Sequence, residues 1–243
     1  MGNLAALGFA AVAAVVSTAA TLDLARDLRR RPRPHLSAYT TGMAMFSLAV
    51  WALFSALGWG WHGFTYRVFF LFGAVLNIPF LALGSVFLSV GRRAGHIMTV
   101  GLFGFSAMAT TLVSVTPFHR ALPEGGIPSD IFPSIAEAGF GPRLLAAVAG
   151  GMGTLVLVTA ALWGAVRFRK SNRRRALANL VIVAGVLAAA TGGTILGFLN
   201  ESSSFSVSLL AAASLIWWGY RLSATRVTGA DPISGTVPPS ISG

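Results

Sequence analysis

Seven apolar runs of about twenty residues, spaced by short polar segments, constrain this chain more than any other feature. They lie at roughly 3–22, 38–58, 67–90, 97–117, 143–166, 177–199 and 203–222. A hydrocarbon layer about 30 Å thick takes about twenty residues of helix to cross, and lipid leaves the backbone no hydrogen-bond partner outside that helix. The runs therefore predict an all-α, polytopic membrane protein with seven transmembrane helices, numbered here as spans 1 to 7. Composition agrees. Of 243 residues, 55% are hydrophobic and only 10% are charged, against about 25% charged in an average soluble domain. A water-soluble domain of this size cannot bury that much apolar surface. Span 1 has no basic stretch before it and a basic cluster after it, so it reads as a spanning helix and not as a secretory leader.

The charge balance fixes an expected orientation. The chain carries 18 Lys and Arg against 7 Asp and Glu, a formal net charge of +11. In a soluble protein such an excess points to nucleic acid. Here the basic residues cluster between apolar runs, the pattern of cytoplasmic membrane loops, so no nucleic-acid partner is expected. Arg26, Arg29, Arg30, Arg31 and Arg33 follow span 1, and Arg92 and Arg93 follow span 3. Six more, from Arg167 to Arg175, follow span 5, and Arg221 and Arg226 follow span 7. That places fifteen basic residues on one side; Arg67, Arg120 and Arg143 are the three on the other. The alternation predicts an external N-terminus and a cytoplasmic C-terminus. Richness in Ala, Gly, Pro and Arg fits a GC-rich bacterial genome, and hence the bacterial cytoplasmic membrane.

Two segments read as non-membrane. Residues 118–142 form the longest loop, on the outside, with four prolines. Ser134 and Glu137 stand at capping-box spacing within it, and Gly139 follows as a stop. This loop reads either as an ordered cap over the outer end or as a mobile connection. Residues 223–243, rich in Gly, Ser, Thr and Pro, read as a disordered cytoplasmic tail. Aromatic residues cluster near both predicted interfaces: Trp59, Trp61, Phe64 and Tyr66 outside, and Tyr39, Trp163, Trp217, Trp218 and Tyr220 inside.

What the spans lack is informative. No ionisable residue lies deep in any of them; Asp23, Asp27, His96 and Glu201 stand at their ends. Proton pumps and ion-coupled carriers usually need such groups at depth. Span 7 has no lysine for a retinal Schiff base. The four histidines, at 35, 62, 96 and 119, show no H-E-x-x-H spacing, and there is no cysteine. The sequence therefore predicts no catalytic residue, no metal and no cofactor.

What the spans contain is mostly small and weakly polar. Span 3 places Asn77 and Pro79 near mid-membrane. Pro79 removes an amide and predicts a kink. Asn77 either touches a ligand in a cavity or bonds a neighbouring helix. Polar stripes run along span 4 (Ser106, Thr110, Ser114), span 7 (Glu201, Ser204, Ser208) and span 2 (Ser47, Trp51, Ser55). They read as one outward pocket or as separate interhelical contacts. The pocket reading names Trp51, Asn77, Thr110 and Ser208 as ligand-binding, with Arg67 and Glu201 paired at its mouth. In span 6, Gly185, Ala189, Gly193 and Gly197 form a small-residue ridge for close helix packing.

The stretch from Tyr66 and Arg67 through Leu-Asn-Ile-Pro-Phe-Leu-Ala-Leu-Gly, residues 76–84, resembles a recurring segment in multi-pass membrane proteins of actinobacteria. The resemblance covers residues 66–93 and implies a membrane fold with no activity attached. From the residues, two functions are expected. The first is a non-enzymatic membrane protein that binds or moves an apolar or lipid-like molecule through an outward-facing pocket. The second is an accessory or sensor subunit, docked to a larger complex through span 6 or the basic loops. Membrane lipids are the other expected partner.

Overall fold

The computed structural model describes residues 2–123, 126–128, 130–168, 173–199 and 202–224. Among these, every regular element is helical and none is a strand. Helix α1 runs Gly2–Arg30 and α2 Pro34–Trp59. The third run is one continuous helix in three parts: α3 (Gly63–Phe69), a π segment (Phe70–Leu76) and α4 (Asn77–Ser89). Then come α5 (Arg92–Val115), the single turn α6 (Ile135–Ala138), α7 (Pro142–Phe168), α8 (Arg173–Leu199) and α9 (Ser202–Ala224).

Local chemistry sets several boundaries. Pro34 opens α2 at a position where its missing amide is not needed. Gly91, at φ 123°, makes the turn that separates α4 from α5, a conformation costly for any residue with a Cβ.

Six helices are long and apolar enough to cross a membrane: α1, α2, the composite third helix, α5, α7 and α9. The chain is thus a helical protein of multi-pass membrane character. Expected span 6 corresponds to α8, whose described apolar stretch is the shorter Leu180–Thr191. Residues 225–243, most of the expected tail, lie outside the described residues.

The packing order is a closed circuit. The neighbours run α1, α2, helix 3, α7, α8, α9 and back to α1. Helix α5 stands outside this circuit, packed on helix 3 and only lightly on α7. Small residues let the members approach. Gly42 of α2 meets Leu81, and Gly73 meets Ala49 of α2. Gly153 of α7 lies against the backbone of Ile78 and Pro79. Gly185 of α8 lies against Ala212 and Ile216 of α9, and Gly219 of α9 against Ala178 and Ile182 of α8. The span 6 ridge is therefore used at Gly185 for packing within the chain. Ala189 is partly buried beside the core. The surroundings of Gly193 and Gly197, further along α8, lie outside the described residues.

Candidate functional site

Helix 3 holds the one conspicuous polar anomaly. Asn77 is 5% exposed, and its Oδ1 has no hydrogen-bond partner. No other buried side-chain nitrogen or oxygen among the described residues is left so. Hydroxyls elsewhere in the bundle are satisfied differently. Ser17, Thr21, Ser106, Thr110 and Ser208 each donate to a carbonyl three or four residues back on their own helix. Ser47 pairs with Thr18 of α1 at 3.0 Å, and Ser85 with Tyr39 of α2 at 2.9 Å.

The fold explains why Asn77 is left out. It stands four residues before Leu81 within α4, and Leu81 touches Gly42 of α2, so the two share a side of the helix. The facing stretch of α2, residues 42–49, carries a single hydroxyl, that of Ser47, already engaged with Thr18. The other buried side chains there, Met43, Phe46 and Ala49, offer no donor.

The backbone is also unusual at this point. The π segment Phe70–Leu76 ends at Asn77, two residues before Pro79. Such segments are rare and frequent at functional sites. Where Pro79 predicts a kink, the helix changes register and does not unwind. The flanking residues Phe69, Phe70, Leu76 and Asn77 all keep right-handed helical angles.

At one end of the bundle, aromatic rings fill the interior. Tyr66, Phe70, Phe118 and Phe132 form a connected cluster, and Trp61 meets Tyr66 and Phe69 edge to face. The loop after α5 contributes Phe118, Ile127, Ile131 and Phe132 to this plug, and Gly126 accepts a hydrogen bond from the Trp61 indole at 2.7 Å. Trp61 and Tyr66, expected in an interfacial belt, are thus interior, whereas Trp59 and Phe64 are exposed. In the same loop Ser134 and Glu137 form the capping box, and hydrogen bonding from the Ser134 backbone N–H first, and its hydroxyl second, holds the Glu137 carboxyl below the usual range. Arg120 pairs with Asp130.

Arg67 reaches a different partner from the one expected. Its guanidinium donates to the carbonyls of Val113 and Thr116, at the end of α5, and lies 4.5 Å from the Phe118 ring centroid. Free carbonyls at a helix C-terminus carry partial negative charge, which suits a cation. Glu201, its expected partner, lies outside the described residues.

The expected convergence of Trp51, Asn77, Thr110 and Ser208 around one space is not what the structure brings together. Trp51 is 44% exposed on the outer side of α2, its indole bonded to Thr18. Thr110 is on the exposed face of α5, because α5 stands outside the circuit. Ser208 bonds its own helix at Phe205. Asn77 alone of the four is both buried and unsatisfied.

The opposite end of the bundle joins the first helix to the last. The Trp217 indole donates to Asp23 at 2.9 Å, the Tyr220 hydroxyl donates to Asp27, and Arg221 pairs with Asp23 at 3.2 Å. Sequence reading found these residues at helix ends but had no signal for their pairing. No group of three or more His, Cys, Asp or Glu capable of holding a metal occurs among the described residues. No family model, curated protein or solved structure matches the chain.

Proposed function

We propose that this chain is a seven-span protein of the bacterial cytoplasmic membrane, N-terminus outside, that binds a small, largely apolar molecule beside Asn77 and catalyses no reaction. The observation that carries the reading is the buried, unpartnered Oδ1 of Asn77 at mid-helix. Leaving such an acceptor unpaired costs about 1–3 kcal/mol, which a ligand donor would recover. The adjoining π segment and the glycine contacts on either side support it, since they bring α2 and α7 close around this one polar point.

The site in this reading is narrower than a pocket lined by four helices. It lies between helix 3 and α2, below the aromatic plug, and Trp51 and Thr110 are not part of it. Docking of a partner subunit on span 6 has less to support it, because α9 already occupies Gly185.

Native mass spectrometry from mild detergent tests the reading. Wild-type protein should retain a small non-protein mass that Asn77→Leu loses while remaining monodisperse. Equal retention by both, or none by either, would remove the site. Reporter fusions after residues 94 and 171 should read cytoplasmic and one within 120–135 external.

A further inference from the structure

We infer that Arg31 and Arg33, in the turn between α1 and α2, and Arg92 and Arg93, at the start of α5, form one seat for the phosphate headgroup of an anionic glycerophospholipid. The seat lies at the end of the bundle opposite the aromatic plug and is independent of Asn77.

Position comes first. Tyr39 of α2 bonds Ser85 of α4, Gly42 meets Leu81 and Ala49 meets Gly73, so α2 runs antiparallel to helix 3. The start of α2 therefore lies beside the end of α4. The contact is close there: a Cβ on Gly84 would lie 2.8 Å from the Tyr39 ring. Arg33 precedes Tyr39 by six residues and Arg92 follows Ser85 by seven, each about 10 Å or less along the chain's helical rise. Two turns far apart in sequence thus share one edge of the bundle.

Charge comes second. No Asp or Glu occurs between Asp27 and Glu124, so neither turn carries an acid. The two carboxylates of this end are engaged on the side of α9 and within α1. Asp23 pairs with Arg26 and Arg221, and Asp27 accepts from Tyr220. Arg31, Arg33, Arg92 and Arg93 are all exposed, and none has an ion pair among the described residues. Basic residues that look alike in the sequence are thereby divided. One set is neutralised on the α1–α9 side, and the other stays cationic on the α2–α5 side. A phosphate beside the second set relieves its like-charge repulsion, and guanidinium binds phosphate through paired N–H donors.

The surroundings come third, and they choose the source of the phosphate. Within about two turns of Arg92 and Arg93, Leu88, Ile97 and Val100 are each at least half exposed. An acyl chain can lie along this apolar wall while its headgroup meets the arginines. A free phosphate or a nucleic acid gains nothing from the wall. Basic clusters at the end of spanning helices are drawn to anionic lipid in just this way.

The test uses full-length protein in mild detergent, exchanged into mixed micelles with equal amounts of phosphatidylglycerol and phosphatidylcholine of the same acyl chains. Native mass spectrometry counts the lipids retained. Wild type should retain phosphatidylglycerol about tenfold over phosphatidylcholine. Arg92→Gln with Arg93→Gln should cut that preference about threefold, as should Arg31→Gln with Arg33→Gln, and all four together should abolish it. The matching lysine variants keep the charge and guard against a folding artefact; they should keep part of the preference. Arg26→Gln removes a cation that is already neutralised and should leave the preference intact. Equal retention of the two lipids by wild type overturns the inference. A preference that survives the fourfold glutamine variant, or that Arg26→Gln alone removes, overturns the location. If glycerol phosphate, the water-soluble headgroup, competes as well as the intact lipid, the assignment to a lipid is overturned.

Discussion

Helix 3 and α5 are neighbours in sequence and alike in hydropathy, yet they occupy opposite situations. Within the most apolar window, 61% of helix 3 is buried inside the protein and 17% of α5 is. Helix 3 is flanked by α2, α7 and α5; α5 leans on helix 3 from outside. Their polar residues follow suit. The hydroxyls of α5 are turned back onto their own carbonyls, at Ser106, Thr110 and Thr111. Helix 3 keeps a polar group that its own turn does not satisfy. Hydropathy measures transfer from water and is blind to whether the apolar surroundings are lipid or protein. The place where helices must touch is marked by the glycines that face another backbone.

Substitutions can break or sharpen this contrast. The largest effect should come from Gly153→Leu, because an ideal Cβ there already lies 3.0 Å from Ile78 and 3.2 Å from the Pro79 nitrogen. Overpacking of this kind costs about 1–3 kcal/mol, read as a lower thermal midpoint in detergent. A neutral result would show that α7 does not clasp helix 3.

Next is Arg67→Ala, which removes the link from helix 3 to the end of α5. Hydrogen bonds from a charged donor are worth about 1.5–3 kcal/mol each in buried settings, and this group is only partly buried, so about 1–2 kcal/mol is expected. Faster amide exchange confined to residues 112–118 would locate the loss; uniform loosening of the bundle would contradict the peripheral position of α5.

Asn77→Leu should raise the stability of the ligand-free protein by about 1 kcal/mol, since an unpaired acceptor disappears at similar volume. A loss of stability without ligand would mean that the amide already has a partner. The smallest effect belongs to Gly104→Ala on α5. Nothing lies within 4 Å of its ideal Cβ, so a gain of at most about 0.5–1 kcal/mol from helix propensity is expected. A marked loss would reveal a contact on that open face of α5.

Six apolar helices long enough to span were legible because lipid dictates length and apolarity, and Asn77 and Pro79 stood out as the sole strong departures in the third. The π segment was not legible: Phe-Leu-Phe-Gly-Ala-Val-Leu carries nothing that separates it from an α-helical stretch. Trp51 was misplaced because depth along a helix does not give direction around it. The bond that turns it to Thr18 comes from α1, 33 residues earlier. Arg67 was matched to Glu201 by charge and depth, while the carbonyls at the end of α5 cannot be seen in side-chain letters. Trp217 and Tyr220 looked like membrane-interface anchors and are hydrogen-bond donors to Asp23 and Asp27.

That last pairing has a consequence for the order of assembly. Helix α1 leaves the ribosome before the other described helices, with an alanine-lined surface at Ala6, Ala10, Ala13, Ala14 and Ala20 and two carboxylates towards its end. Among their partners are groups on α9, 193 and 194 residues away for two of the bonds. At about 5–20 residues per second, α1 waits some tens of seconds beside α2 before its second neighbour exists. Nascent chains stalled before α9 should keep Asp23 and Asp27 open to a carboxyl-reactive label, and release of the completed helix should close them together.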